Sequence, residues 1–261
     1  MSSKREREYE RRRLEKWQER QARARARRHR RNVYIGAGFG VAVVVVAVVL
    51  AVSLSGRGGT ATAGASGSTT PATQPTVVTT PRTGNGGVLP DKSLAQNRTW
   101  TATLITNKGD IAMTLDGVAA PQAVANFVTL AGQGFFNSTK CHRLVTSGIH
   151  VLQCGDPTAT GTGGPGYSWG PIENAPADNV YKAGTVAMAR QSGNGSSMGS
   201  QFFLVYADST IPSDSAGGYT VFGHITSGLD VLQAIADAGT VTVGTTTAPA
   251  SDVIIEGVET Q

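Results

Sequence analysis

Arg143 and Gln153 lie ten residues apart on two short apolar runs, with Ser147 and Gly148 in the loop between them and Cys141 and Cys154 as brackets. If the runs pair as antiparallel strands, the arginine and the glutamine share one sheet face. A guanidinium presents several fixed donors and stays charged, and a neighbouring amide can orient it. That pair suits hydrogen-bond and electrostatic stabilisation of a bound group. The two cysteines then fall almost opposite each other, where Cα atoms of antiparallel neighbours sit about 4.5–5.5 Å apart and a disulfide fits. A Cys141–Cys154 bridge that fixes the two strands is expected, given an oxidising compartment.

Other matches to reactive motifs fail on context. Gly161-x-Gly163-x-x-Gly166 has the spacing of a dinucleotide fingerprint, but Pro165 and the lack of a following helical pattern break the strand–turn–helix it needs. Gly195-Ser196-Ser197-Met198-Gly199 has the spacing of a nucleophile elbow, yet residues 201–205 read as a strand where that motif needs a helix. His29, His142, His150 and His224 have no metal-ligand spacing, and the cysteines are better used on each other. No metal and no cofactor is expected.

The elements that must position the pair follow from periodicity. Residues 100–106 and 110–115 alternate with a period near two, and Asn107, Lys108 and Gly109 supply the turn of a hairpin. Pro121, then Val124, Phe127, Val128 and Leu130, with Gly132 near the end, describe a short helix. Further strands are expected at 185–189, 201–205, 219–223 and 253–258, and a second helix at 229–238. Many short strands with two helices argue for a closed antiparallel barrel or a sandwich.

The chain upstream has a different character. Of the 261 residues, the first 32 hold fourteen Lys/Arg and five Asp/Glu, a net of +9 against +5 for the whole, which leaves −4 for residues 33–261. The basicity therefore belongs to a tail and argues against nucleic acid as a partner of the globular part. Residues 33–54 carry no charge across 22 positions, and a helix of that length spans about 33 Å, enough for a bilayer core of about 30 Å. The arginines precede it, so the positive-inside rule predicts a cytoplasmic tail (1–32), a transmembrane signal-anchor (33–55) and an extracytoplasmic remainder. A cleaved signal peptide is the rival reading, but the apolar run exceeds the usual 7–15 residues of a signal core. Residues 56–95, rich in Gly, Ser, Thr, Ala and Pro, read as a disordered linker ahead of a domain at 96–261.

His142-Arg143, Gln153-x-Gly155-Asp156, Gly161-Thr162-Gly163-Gly164, Glu173-Asn174, Met188-Ala189, Gly199-Ser200-Gln201-Phe202-Phe203, Val221-Phe222-Gly223 and Asn126-Phe127 together resemble the cyclophilins, over roughly residues 97–260. The tail and span resemble membrane-anchored members from high-GC Gram-positive bacteria. The resemblance implies an eight-stranded closed antiparallel β-barrel capped by two short helices, and peptidyl-prolyl cis–trans isomerase activity on proline-containing segments of unfolded or exported proteins. It implies catalytic roles for Arg143 and Gln153. It places His142, His150, Val151, Ala189, Arg190, Gln201, Phe203, Ile211 and Tyr219 against the substrate. His150 stands where the family has a phenylalanine of the proline pocket, which predicts weaker activity at mildly acidic pH. Arg190 replaces a common asparagine, and Tyr219 a pocket histidine. Thr210 or Ile211 replaces a tryptophan that favours cyclosporin, so weak cyclosporin binding is expected. Short insertions are expected near 145–149 and 190–198. A cyclophilin-fold chaperone or binding module with weak or no isomerase activity is the alternative that these departures raise.

Overall fold

A computed structural model of the chain describes residues 76–261. The basic tail, the proposed span and the linker as far as residue 75 lie outside the described residues. Among the described residues, no helix is long and apolar enough to cross a membrane.

The chain folds in the order β1 (Thr99–Thr106), β2 (Gly109–Asp116), α1 (Pro121–Gly132), β3 (Thr139–Lys140), β4 (Arg143–Val145), β5 (Val151–Cys154), β6 (Val180–Tyr181), β7 (Thr185–Met188), β8 (Phe202–Val205), β9 (Ser209–Thr210), β10 (Val221–Ser227), α2 (Leu229–Asp237), β11 (Thr240–Val243), β12 (Thr246–Pro249) and β13 (Ile254–Thr260). Alternation makes the first hairpin: Ala102 and Leu104 on β1 and Ile111, Met113 and Leu115 on β2 point inward, while Thr106 pairs with Gly109 across the turn. Pro121 opens α1, where a missing N–H costs nothing. The carboxylate of Glu173 accepts from the N–H groups of Gln122 and Ala123, both at 3.0 Å, and so caps the helix from a distant loop.

Nine strands form one antiparallel sheet in the order β3-β13-β1-β2-β10-β7-β8-β5-β4. Eight strands in a closed barrel were expected; the sheet has nine among the described residues. The end strands β3 and β4 do not pair with each other; only Cys141 and His142 separate them in the chain. The strand that should close the barrel is broken at those two residues, so that β3 pairs with β13 and β4 with β5. Inside, Phe127 of α1 packs on Phe136, Phe202 and Phe222 with ring centroids 5.2–5.5 Å apart. A smaller cluster of Val151, Tyr181, Ala187, Phe203 and Val205 lies on the opposite face of β5, β7 and β8.

Residues 76–95, assigned to the linker by composition, are folded onto the domain. Arg82 Nη1 donates to the carbonyls of Phe135 at 2.8 Å and Asn137 at 2.7 Å. The Gly84 N–H donates to Pro165 O at 2.9 Å, and the Val78 N–H to Ser138 O. Gly84 is buried so closely against Leu130 that a Cβ would collide with it. Backbone and arginine donors do here what apolar side chains do elsewhere, which is why composition misses it.

Candidate active site

The outer face of four paired strands carries the site. Arg143 of β4 is directly opposite Gln153 of β5, Gln153 opposite Phe203 of β8, and Phe203 opposite Ala187 of β7. The residues between them, Leu144, Leu152, Leu204 and Val186, are fully buried in the core. Side chains of a strand alternate between faces, so the apolar half of each strand fixes the position of its site half.

Arg143, Gln153, Val151, Ala189, Arg190, Phe203, Ile211 and Tyr219, all expected at the site, come together around a cavity of about 160 Å³. Of the two candidates for the tryptophan position, Ile211 reaches this cavity, while Thr210 lies in β9. Arg143 Nη1 donates to Gln153 Oε1 at 3.3 Å, and Gln153 Nε2 donates to Gln201 Oε1 at 2.8 Å. Gln201 Nε2 in turn donates to the carbonyls of Gly161 at 3.0 Å and Gly163 at 2.8 Å. Gln201 lines a second cavity of about 300 Å³ that shares Gln153, Ala189 and Arg190 with the first.

Asp156 holds the glycine loop that closes this relay. Its fully buried carboxylate accepts from the N–H groups of Thr158, Thr160, Gly161 and Gly163 at 2.6–3.1 Å. Burial pushes the Asp156 carboxyl up, but the bonds from Thr158, Gly163 and Gly161 outweigh it and hold the group below the usual carboxylate range. Gly163 is obligatory, since a Cβ there would strike the carboxylate. The Asp-x-Thr spacing at 156–158 is a local signal that could have revealed this anchor.

Two expected residues take other places. His142 lines neither cavity; it is buried at 7% exposure, and among the described residues neither ring nitrogen has a hydrogen-bond partner. Burial lowers its pKa, Asp156 raises it and Arg143 lowers it, with a net fall. His150 also stays outside the cavity. Its ring stands edge-on to Tyr206 at 5.6 Å, while Ile149 lines the pocket instead. Gly148 takes a left-handed conformation in the loop before β5, and Ile149, just after it, stands at the pocket wall. The expected pH effect through His150 therefore loses its geometric premise.

Arg190 contributes a wall, not a free cation. Its Nε–H donates to Gly218 O, Nη1 to Gln191 O and Asp214 Oδ2, and Nη2 to Asp214 Oδ1 and Gly217 O. All five donors of the guanidinium are thus used within the protein. Its Cζ lies 4.6 Å from the centre of the Tyr219 ring. The Arg190 bonds, first of all, and the N–H groups of Gly193 and Ala216 hold the Asp214 carboxyl far below the usual carboxylate range. Sequence reasoning missed Asp214, which meets Arg190 from 24 positions away.

The expected disulfide is present: Cys141 and Cys154 are joined, with an S–S distance of 1.98 Å. It sits immediately beside the Arg143–Gln153 pair.

The cyclophilin type peptidyl-prolyl cis-trans isomerase family matches residues 101–260, and the chain belongs to that family. It is 45% identical over 170 residues to the probable peptidyl-prolyl cis-trans isomerase B of Mycobacterium leprae, covering 60% of this chain and 56% of that one. The Mycobacterium tuberculosis protein of the same description is 44% identical, with 53% of its length covered. The chain thus spans little more than half the length of these relatives. A peptidyl-prolyl cis-trans isomerase of Helicobacter pylori is 47% identical over 143 residues, 53% of this chain and 81% of that protein. Among solved structures, a cyclophilin type peptidyl-prolyl cis-trans isomerase of Cryptosporidium parvum, determined in the presence of the dipeptide Ala-Pro, matches at a TM-score of 0.52 and 28% identity, covering 60% of this chain and 96% of that one.

Proposed function

We propose that the chain is a peptidyl-prolyl cis–trans isomerase that accelerates rotation about X–Pro bonds. The observation that carries this reading is a guanidinium, Arg143, at the edge of a cavity that Val151, Phe203 and Ile211 help to wall. A peptide C–N bond resists rotation because of resonance, with a barrier of about 18–20 kcal/mol. A proline ring seated in the cavity puts its nitrogen beside Arg143. A donor aimed at that nitrogen draws its lone pair out of resonance and lowers the barrier. Gln153 and Gln201 hold the donor in place, so no reorganisation accompanies the rotation. No covalent bond is made or broken, so neither nucleophile nor cofactor is required. Ala189 and Gln201 are placed to hold residues preceding the proline. The Ala-Pro dipeptide with the Cryptosporidium relative supports the same class of substrate.

The test is isomerisation of a proline peptide by the full-length chain, followed by NMR exchange. Arg143→Ala should lower kcat/KM about 10²–10³-fold, the range for loss of one preorganised donor. Equal rates in the two proteins would refute the reading.

We further propose that the domain is tethered outside the cell membrane by residues 33–55 and acts on exported proteins. The uncharged run and the preceding arginines support this. Protease added to intact cells should digest the domain. Protection equal to that of a cytoplasmic marker would reject the topology.

A further inference from the structure

Three depressions of the site are linked by shared walls. The Gln201 cavity and the proline cavity share Gln153, Ala189 and Arg190. The proline cavity and a third cleft, of about 310 Å³, share Arg143. One bank of the third cleft is Arg143 and Val145 of β4; the other is the β11–β12 hairpin, with Thr242, Gly244 and Thr245–Thr247. The hairpin is a fixed wall: Thr247 Oγ1 donates to Leu144 O at 2.5 Å, and Ala248 is buried beneath it. No carboxylate lines the cleft. Its one charge is Arg143, which among the described residues hydrogen-bonds Gln153 alone and forms no ion pair.

If residues preceding the proline occupy the Gln201 cavity, the chain after the proline leaves past Arg143 into the third cleft. We propose that this cleft is a specificity site for the residue that follows the proline, and that it favours an acidic side chain. The inference rests on the isomerase reading. A guanidinium has donors to spare beyond one aimed at the prolyl nitrogen, and threonine hydroxyls donate readily to a carboxylate. A basic side chain meets the uncompensated Arg143 instead. Because the contact lies off the rotating bond, it forms in ground state and transition state alike and appears in KM.

The experiment uses the full-length chain and three end-blocked peptides, Ala-Ala-Pro-Glu, Ala-Ala-Pro-Ala and Ala-Ala-Pro-Lys, with isomerisation and binding both read by NMR. The expected result is a KM for the glutamate peptide about 5–10-fold below that of the lysine peptide, with kcat within about twofold. Raised salt should shrink the gap. Thr242→Glu, at an exposed position, should reverse the order, and Thr245→Val with Thr246→Val should narrow it. Equal KM values for the three peptides would overturn the inference and leave the isomerase reading intact. If no peptide is isomerised, that reading fails, and the titrations still decide the cleft: tighter glutamate-peptide binding supports it, equal binding overturns it.

Discussion

Gln153 and Gln201 are joined amide to amide, Nε2 of the first donating to Oε1 of the second at 2.8 Å. That bond ties the strand facing Arg143 to the glycine loop held by Asp156. Gln201→Leu leaves the Gln153 amide and two loop carbonyls without their partner. The expected outcome is a kcat/KM for proline peptides lower by about tenfold, on the order of one hydrogen bond's worth. Unchanged kinetics would show that Gln153 alone orients Arg143.

Asp214 organises the segment around 190–198. Beyond Arg190 it accepts from the Gly193 and Ala216 N–H groups. Asp214→Asn should lower the melting temperature and raise amide exchange at residues 191–198. Its folded pKa lies below the unfolded value of 3.8. The stability it contributes is therefore present above about pH 3.8 and lost as pH falls through the folded value.

His142 has the opposite chemical character but the same pH sign. Its folded pKa is lowered from 6.5, so in the unfolded chain it takes up a proton before it does in the folded one. Stability contributed by the neutral ring is complete above about pH 6.5 and falls as the solution is acidified below it. Urea unfolding from pH 7.5 to 5.5 should show this loss, and His142→Phe should flatten the slope. An equally steep variant would assign the slope to other groups.

Reduction of Cys141–Cys154 frees a loop spanning 13 positions. Closing a loop of about that size constrains the unfolded chain by about 3 kcal/mol. Paired Cys141→Ser and Cys154→Ser substitution should lower stability by about this amount in urea. It should also reduce kcat/KM, because the bridge adjoins the Arg143–Gln153 pair. A double variant with wild-type stability would make the bridge incidental.

Arg82 should matter to a domain that composition places fourteen residues downstream. Arg82→Ala leaves the carbonyls of Phe135 and Asn137 without its donor. A loss of about 1–2 kcal/mol is expected in urea unfolding. No loss would mean that residues 76–95 are dispensable to the fold.

Which parts were legible follows from where the information lies. The β1–β2 hairpin and α1 were readable because Leu104, Ile111 and Phe127 repeat at the period of their own element. The Arg143–Gln153 pairing was readable because apolar neighbours fix its register. The β11–β12 hairpin was missed: Val241 and Val243 are exposed, and threonines on both strands leave no contrast between faces. Ile149 and His150 exchanged places because they enter β5 from a loop, where strand periodicity has no authority. Asp214 and Arg82 act through hydrogen bonds to groups distant in sequence, which no local pattern records.

The Asp156 carboxylate grips its loop largely through main-chain N–H groups, with Gly163 as the position that admits no side chain. Thr158 and Thr160 add their hydroxyls to that grip, whereas Gly164 has open space beside it, so a side chain there leaves the backbone carbonyls that hold Gln201 in place. The rim can change by substitution while the Arg143–Gln153–Gln201 geometry is kept intact. The loop separates a rim that can vary from a relay that is fixed, and so gives the site room to evolve.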